Sequence, residues 1–189
     1  SVVSENKLAA IMFEVVQGEG GVVPLTQEFV SAIKEICQKN DILMIVDEVQ
    51  TGNGRTGKLY GYMNYGITPD IVTTAKGLGG GLPLGAVMFG EKTQNVLTQG
   101  THGSTFGGNP VACAGALTIV SRLTYGFMEE VKRKSQYIIN ELQNAEGVKS
   151  VTGLGLMLGI ETEKDAGEVI KICMDNGVLK KKKKNKVRL

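Results

Sequence analysis

Three short apolar runs, each followed by a charged residue, constrain this chain more than any other feature. Leu8 to Phe13 (LAAIMF) ends at Glu14, Ile42 to Val46 (ILMIV) ends at Asp47, and Ile71 to Thr74 (IVTT) leads through Ala75 to Lys76. Brief, nearly continuous apolar runs of this length read as strands buried on both faces. Between the first two, Phe29, Val30, Ile33, Ile36 and Cys37 recur at the spacing of one helix face, which predicts a helix over Thr26 to Asn40 with Thr26 as its N-cap. Strand, helix and strand in that order predict a right-handed parallel crossover. In open α/β sheets ligands bind outside the carboxyl ends of the strands, so Glu14, Asp47 and Lys76 are the polar residues to examine first.

Leu84 to Phe89 (LGAVMF) predicts a fourth strand, following Gly79 to Gly81 and Pro83. Helical patterns cover Pro110 to Leu123 and then Met128 to Leu142, and Tyr125-Gly126 between them marks the expected domain boundary. Val148 to Val151 and Leu156 to Ile160 read as strands, Ala166 to Met174 as a helix, and Asn176-Gly177 as its stop. The expected architecture is an α/β layer over residues 1–125 followed by a smaller α+β portion over 126–189.

Composition narrows the function classes. With 42% hydrophobic and 21% charged residues, the chain is globular in type. Its formal charge of +2 becomes −3 once the five lysines Lys180 to Lys184 are set aside, so the body of the chain does not suit a polyanion. Five consecutive lysines do not suit a half-buried strand, and they are expected to form a solvated terminus rather than a tail for anionic partners. Neither a membrane span nor a signal peptide is expected: apolar runs are short, and Ser1 to Glu5 lacks a basic and apolar leader. Cys37, Cys113 and Cys173 lie far apart with one histidine, His102, which argues against a structural metal site and favours free thiols in a cytoplasmic, reducing compartment.

A lysine just past a buried strand is costly to desolvate, and desolvation favours the neutral amine needed for imine formation. On its own, Lys76 reads more readily as a strand-end residue reaching solvent. Asp47 at the end of the neighbouring run changes that reading. Pyridoxal phosphate chemistry needs a lysine for the aldehyde, a carboxylate to keep the pyridine nitrogen protonated, and small donors for the phosphate. Lys76, Asp47 and the segment Gly103 to Gly108, with Ser104 and Thr105, supply these residue types.

Asp47-Glu48-Val49-Gln50-Thr51-Gly52, Thr74-Ala75-Lys76-Gly77 and Gly103-Ser104-Thr105-Phe106-Gly107-Gly108-Asn109-Pro110 resemble successive signatures of the class III pyridoxal-phosphate-dependent aminotransferases. The interval from Asp47 to Lys76 is 29 residues, as is that from Lys76 to Thr105, which resembles the acetylornithine/ornithine branch. Glu14 with Gln17 to Gly21 is similar to a glutamate-rich motif of that branch, with Val15 standing where the motif has proline. The resemblance spans about Leu8 to Gly177. It implies part of a fold-type I large domain, with a mostly parallel sheet, followed by part of a small C-terminal domain.

The same resemblance implies that Lys76 forms the internal aldimine and shuttles the substrate proton, that Asp47 pairs with the pyridinium nitrogen, and that Gln50 lies near the phenolic oxygen. It places Thr105 on the cofactor phosphate across a homodimer interface and Ser104 near the substrate. Glu19 is similar to the glutamate that pairs with a substrate-selecting arginine, and Arg188 falls where that arginine is expected. The implied reaction moves an ω-amine, with N-acetylornithine as donor and 2-oxoglutarate as acceptor, in arginine biosynthesis. Ornithine, succinylornithine and 4-aminobutyrate are alternative donors. The family is about twice this length, so the chain is expected to be a C-terminal-half fragment.

Three rival readings remain at this point. Gly52-Asn53-Gly54-Arg55-Thr56-Gly57 fits G-x-G-x-x-G with Asp70 18 residues after Gly52, as in an NAD-dependent oxidoreductase. However, Asp47 to Thr51 intervene after the strand, and Asp70 precedes a strand rather than ending one. A noncatalytic domain could retain the fold. A Cys113/His102 hydrolase lacks both an orienting acid and a nucleophile elbow.

Overall fold

A computed structural model describes residues 7–183 and 185–189. The first sheet takes its strands in the order β1 (Ala10–Phe13), β4 (Leu43–Asp47), β5 (Ile71–Thr74) and β6 (Ala86–Phe89). β1, β4 and β5 run parallel, and β6 closes the sheet antiparallel to β5. Two short strands, β2 (Val16–Gln17) and β3 (Val23–Pro24), form a hairpin after β1. The helix expected in the crossover is α1 (Gln27–Asn40), and Thr26 caps it by accepting from the Phe29 N–H at 3.2 Å.

Strand alternation gives this sheet two different faces. Met44 and Val46 point toward α1 and form a core with Val15, Val30, Ile33, Cys37, Ile42 and Ile67. Leu43, Ile45 and Asp47 take the opposite face, where Ile45 is in register with Ile71 and Asp47 with Thr73. Val15 is fully buried, and its carbonyl accepts from the Leu25 N–H at 3.0 Å, so valine is well accommodated at this point of the loop.

The second sheet is antiparallel throughout, in the order β7 (Val148–Leu154), β8 (Met157–Thr162), β10 (Lys186–Arg188) and β9 (Lys181–Lys183). It packs with α3 (Tyr125–Gln143) and α4 (Ala166–Asp175), while α2 (Pro110–Val120) lies against the turn after β5. Two sequence expectations need correction. Tyr125 and Gly126 open α3 rather than separating two helices, because the Thr124 side chain caps the helix through the Phe127 N–H; the break covers Ser121 to Thr124. The lysine run does contain a strand. β9 stands at the sheet edge with Lys181 and Lys182 exposed, so these side chains remain solvated while the backbone pairs on one side only. Lys184 and the Ser1 to Glu5 segment lie outside the described residues. No single helix among the described residues is long and apolar enough to cross a membrane.

Candidate active site

The parallel pairing of β4 with β5 brings two of the expected residues to one edge of the sheet. Asp47 closes β4 in register with Thr73, and Lys76 stands three residues beyond Thr73. Asp47 Oδ1 accepts from the Val49 N–H at 2.9 Å, which fixes the carboxylate at the start of the following loop. Thr73 is on the same face of the sheet as Asp47, and its buried hydroxyl has no hydrogen-bond partner among the described residues. Buried hydroxyls are normally paired, so an unpartnered one beside the strand-end carboxylate calls for an explanation.

Lys76 starts a short 3-10 turn (Lys76–Gly79) with φ of +48°. A bulky residue in the left-handed region is held there by its surroundings at a cost of about 1 kcal/mol or more. Its side chain is exposed, contrary to the sequence expectation of a desolvated amine, because it projects past the sheet edge into open clefts instead of back into the core. One cleft, of about 260 Å³, is lined by Gln50, Asn53, Arg55, Lys76, Phe127 and Arg188 among others. The adjoining one, of about 590 Å³, shares Gln50, Lys76 and Arg188 and adds Glu19. Asp47 ends the neighbouring strand at the same edge but lines neither cleft.

The segment after β4 holds the wall in place. Glu48 is fully buried, and its carboxylate accepts from the Thr51 hydroxyl at 2.6 Å and from the Gly61 and Tyr62 N–H groups at 2.8 Å each. Burial pushes its pKa up, opposed by these three hydrogen bonds. Burial raises the Tyr60 and Tyr62 pKa values as well, with a smaller contribution from the Glu48 charge. The resemblance assigns Glu48 no role, although a carboxylate directly after a strand-end acid tends to fall on the opposite side of the chain from it, here toward the buried side. Gly18 is similarly constrained, since a Cβ there would meet the Gln50 carboxamide carbon at 2.8 Å. Glu14, the acid that follows β1, receives the Gly18 N–H at 3.5 Å.

Glu19 and Arg188 come together across the second cleft, with Arg188 Nη1 3.9 Å from Glu19 Oε1. Ser104 and Thr105 do not join this constellation. Both are exposed, neither lines the two clefts, and the Ser104 hydroxyl accepts from the Gly107 N–H at 2.9 Å. Among the described residues no group of three His, Cys, Asp or Glu side chains is placed to hold a metal, and Cys37, Cys113 and Cys173 are free thiols.

Of the three polar ends of pyridoxal phosphate, the aldehyde has an amine in the clefts, Lys76, while a carboxylate of the type the ring nitrogen needs, Asp47, closes the neighbouring strand at the same sheet edge without lining either cleft. The two clefts together have ample room for a planar ring. The phosphate end has a candidate, Thr105, only outside these clefts.

The comparisons point the same way. The profile of the family Aminotransferase class-III matches residues 2–189. Acetylornithine aminotransferase of Haemophilus ducreyi is 47% identical over 189 residues, covering 99% of this chain and 48% of that protein. Acetylornithine aminotransferase of Streptococcus mutans is also 47% identical, covering 95% and 48%. Among solved structures, N-acetylornithine aminotransferase from Stenotrophomonas maltophilia aligns with a TM-score of 0.84 at 34% identity, covering 95% of this chain and 49% of that one. An (S)-enantioselective ω-transaminase from Thermomicrobium roseum gives 0.89 at 33% identity, covering 100% and 47%. The chain spans about half the length of the curated relatives it matches.

Proposed function

Because the chain belongs to the class III aminotransferases, a pyridoxal-phosphate-dependent family, we propose that it forms the lysine-bearing half of an enzyme that moves an ω-amine from N-acetylornithine to 2-oxoglutarate. The placement of Asp47 at the end of one strand and Lys76 just past the end of its parallel neighbour, at one sheet edge, carries this reading. The acetylornithine names of relatives at 41–47% identity favour the donor. The setting would be arginine biosynthesis in the cytoplasm, and the three free thiols suit such a reducing compartment.

When bound, the cofactor supplies an electron sink that makes a proton on the substrate carbon labile. The residues of this chain do the rest. Lys76 Nζ, exposed in the cleft, would hold the cofactor through its aldehyde and would be the base placed to move the substrate proton. The Asp47 carboxylate would keep the ring nitrogen protonated. Gln50, wedged against Gly18, would offer its carboxamide to the phenolic oxygen. Arg188, steadied by Glu19, receives a substrate carboxylate in the larger cleft. Thr105 and Ser104, on an exposed loop, serve the phosphate and substrate of a neighbouring subunit, which makes the working unit a homodimer.

The division into residues 1–125, bearing the cofactor, and 126–189, bearing Arg188, is part of this proposal. The test is a donor panel on the full-length protein with 2-oxoglutarate, reading glutamate formation. N-acetylornithine should give the highest kcat/KM, and Lys76→Ala should abolish transfer. Preference for ornithine or 4-aminobutyrate would overturn the donor assignment, and transfer retained in Lys76→Ala would overturn the mechanism.

A further inference from the structure

The G-x-G-x-x-G segment attracted a nucleotide-binding reading from sequence, and the structure uses it differently. Asn53, its second residue, has φ of +55°, a backbone conformation that asparagine tolerates better than most side chains. From there its Nδ2 donates to the Thr74 hydroxyl at 3.2 Å and to the Ala75 carbonyl at 3.1 Å. Thr74 is the last residue of β5, and Ala75 immediately precedes Lys76. The Ala75 carbonyl also accepts from the Leu78 N–H at 3.1 Å, the bond that closes the turn carrying Lys76. On the far side of Lys76, a Cβ on Gly77 would sit 3.7 Å from the Asn53 Cβ. The Asn53 side chain therefore holds the two residues before the lysine and stands close by the one after it, and both Asn53 and Lys76 line the same cleft.

We infer that Asn53 is a positioning residue for Lys76: its carboxamide pins the strand end and holds the lysine in its left-handed conformation, aiming Nζ into the cleft. This rests on the proposed role of Lys76 as the amine that captures the cofactor aldehyde. The φ of +48° at Lys76 is unfavourable for an unsupported residue, and the two Asn53 hydrogen bonds are the side-chain contacts that brace it. The segment is anchored in turn. Arg55 Nη1 donates to the Leu156 carbonyl at 3.4 Å, and the Leu156 N–H donates to the Arg55 carbonyl at 2.9 Å, so the brace is tied to the turn between β7 and β8.

The test compares wild type with Asn53→Gly, which keeps the backbone conformation without a side chain, and Asn53→Asp, which keeps the shape and removes the donor. Full-length apo protein is incubated with pyridoxal phosphate across a pH series, fixed with borohydride at intervals, and read by peptide mass spectrometry at Lys76, with exposed Lys58 as internal reference. Both variants should slow capture at Lys76 by about fivefold or more and move its pH midpoint, while labelling at Lys58 stays within about twofold. Unchanged Lys76 rate and midpoint in both variants, or an equal loss at both lysines, overturns the positioning role. If Asn53→Gly does not fold, Asn53→Asp decides by the same criterion. Failure of the underlying assignment shows separately and first: wild-type Lys76 would then be labelled no faster than Lys58.

Discussion

Arg188 on β10 and Glu19 in the loop between β2 and β3 approach to 3.9 Å, although 169 positions separate them in sequence. That distance is an ion pair rather than a hydrogen bond. Arg188 is 22% exposed and Glu19 66%, so the guanidinium is the more enclosed partner, and both residues line the larger cleft. A lysine keeps the charge but lacks the planar fork with which a guanidinium can hold a carboxylate through two parallel hydrogen bonds. In the full-length enzyme Arg188→Lys is expected to raise KM for 2-oxoglutarate by roughly tenfold or more while changing KM for a monocarboxylate acceptor much less. Steady-state kinetics with the two acceptors checks it, and equal effects on both would remove Arg188 from the carboxylate site.

Asp47 supports a prediction that separates charge from shape. Asp47→Asn keeps an acceptor for the Val49 N–H but loses the negative charge. If the carboxylate stabilises a cationic ring only as the reaction proceeds, kcat should fall on the order of 100-fold while KM for the donor stays within about threefold. A deuterium isotope effect at the transferred position should grow as proton removal becomes limiting. Comparable kcat in Asp47→Asn would refute the assigned role.

How much of this was legible in the sequence depended on how local the cause was. The β4 run and its terminal Asp47 could be read because apolar residues on both faces leave an unbroken string, although only the Met44 and Val46 face is buried here and the Leu43 and Ile45 face is half-buried; α1 could be read because its apolar spacing and Thr26 cap are properties of adjacent residues. The lysine strand was misjudged because edge position is a property of the sheet: alone, Lys181 to Lys183 look incompatible with pairing, yet on the outside of β10 they need no buried face. Exposure of Lys76 was missed for the same kind of reason, since desolvation depends on what covers a strand end. The role of Asn53 was hidden within a glycine motif that pointed elsewhere, and only the 21-residue span to Thr74 exposed it.

Gly155 offers a test of the joint between the two sheets. It has φ of +55°, and a Cβ there would lie 2.5 Å from the Arg55 carbonyl oxygen and 2.6 Å from the Thr56 Cα, both backbone atoms of the loop that braces Lys76. Its own carbonyl accepts from the Ser135 hydroxyl at 2.6 Å, so retreat is blocked on the α3 side. Gly155→Ala is therefore expected to lower unfolding free energy by roughly 3 kcal/mol or more, measured by denaturant titration. A loss below about 1 kcal/mol would mean the joint yields easily.

Glu48 gives the protein a pH dependence whose sign is fixed by its burial. An unfolded glutamate releases its proton near 4.5, and the folded site holds it to higher pH. Between those two values the folded state carries more bound proton than the unfolded one, so stability falls as pH rises through that window and levels off above the folded value. The three hydrogen bonds limit this loss without reversing it, because desolvation is the larger influence. Glu48→Gln should flatten that part of the profile, read as Tm against pH. The substituted side chain keeps one acceptor oxygen but sets its amide against a backbone N–H that the carboxylate had satisfied, at a cost of about 1–3 kcal/mol. Glu48→Ala strands the Gly61 and Tyr62 N–H groups together and should cost roughly 2–5 kcal/mol, even though it also removes a buried charge. A wild-type Tm that climbs through the window above 4.5, with Glu48→Gln lacking that climb, would show the carboxylate to be stabilised by its three donors more than it is penalised by burial.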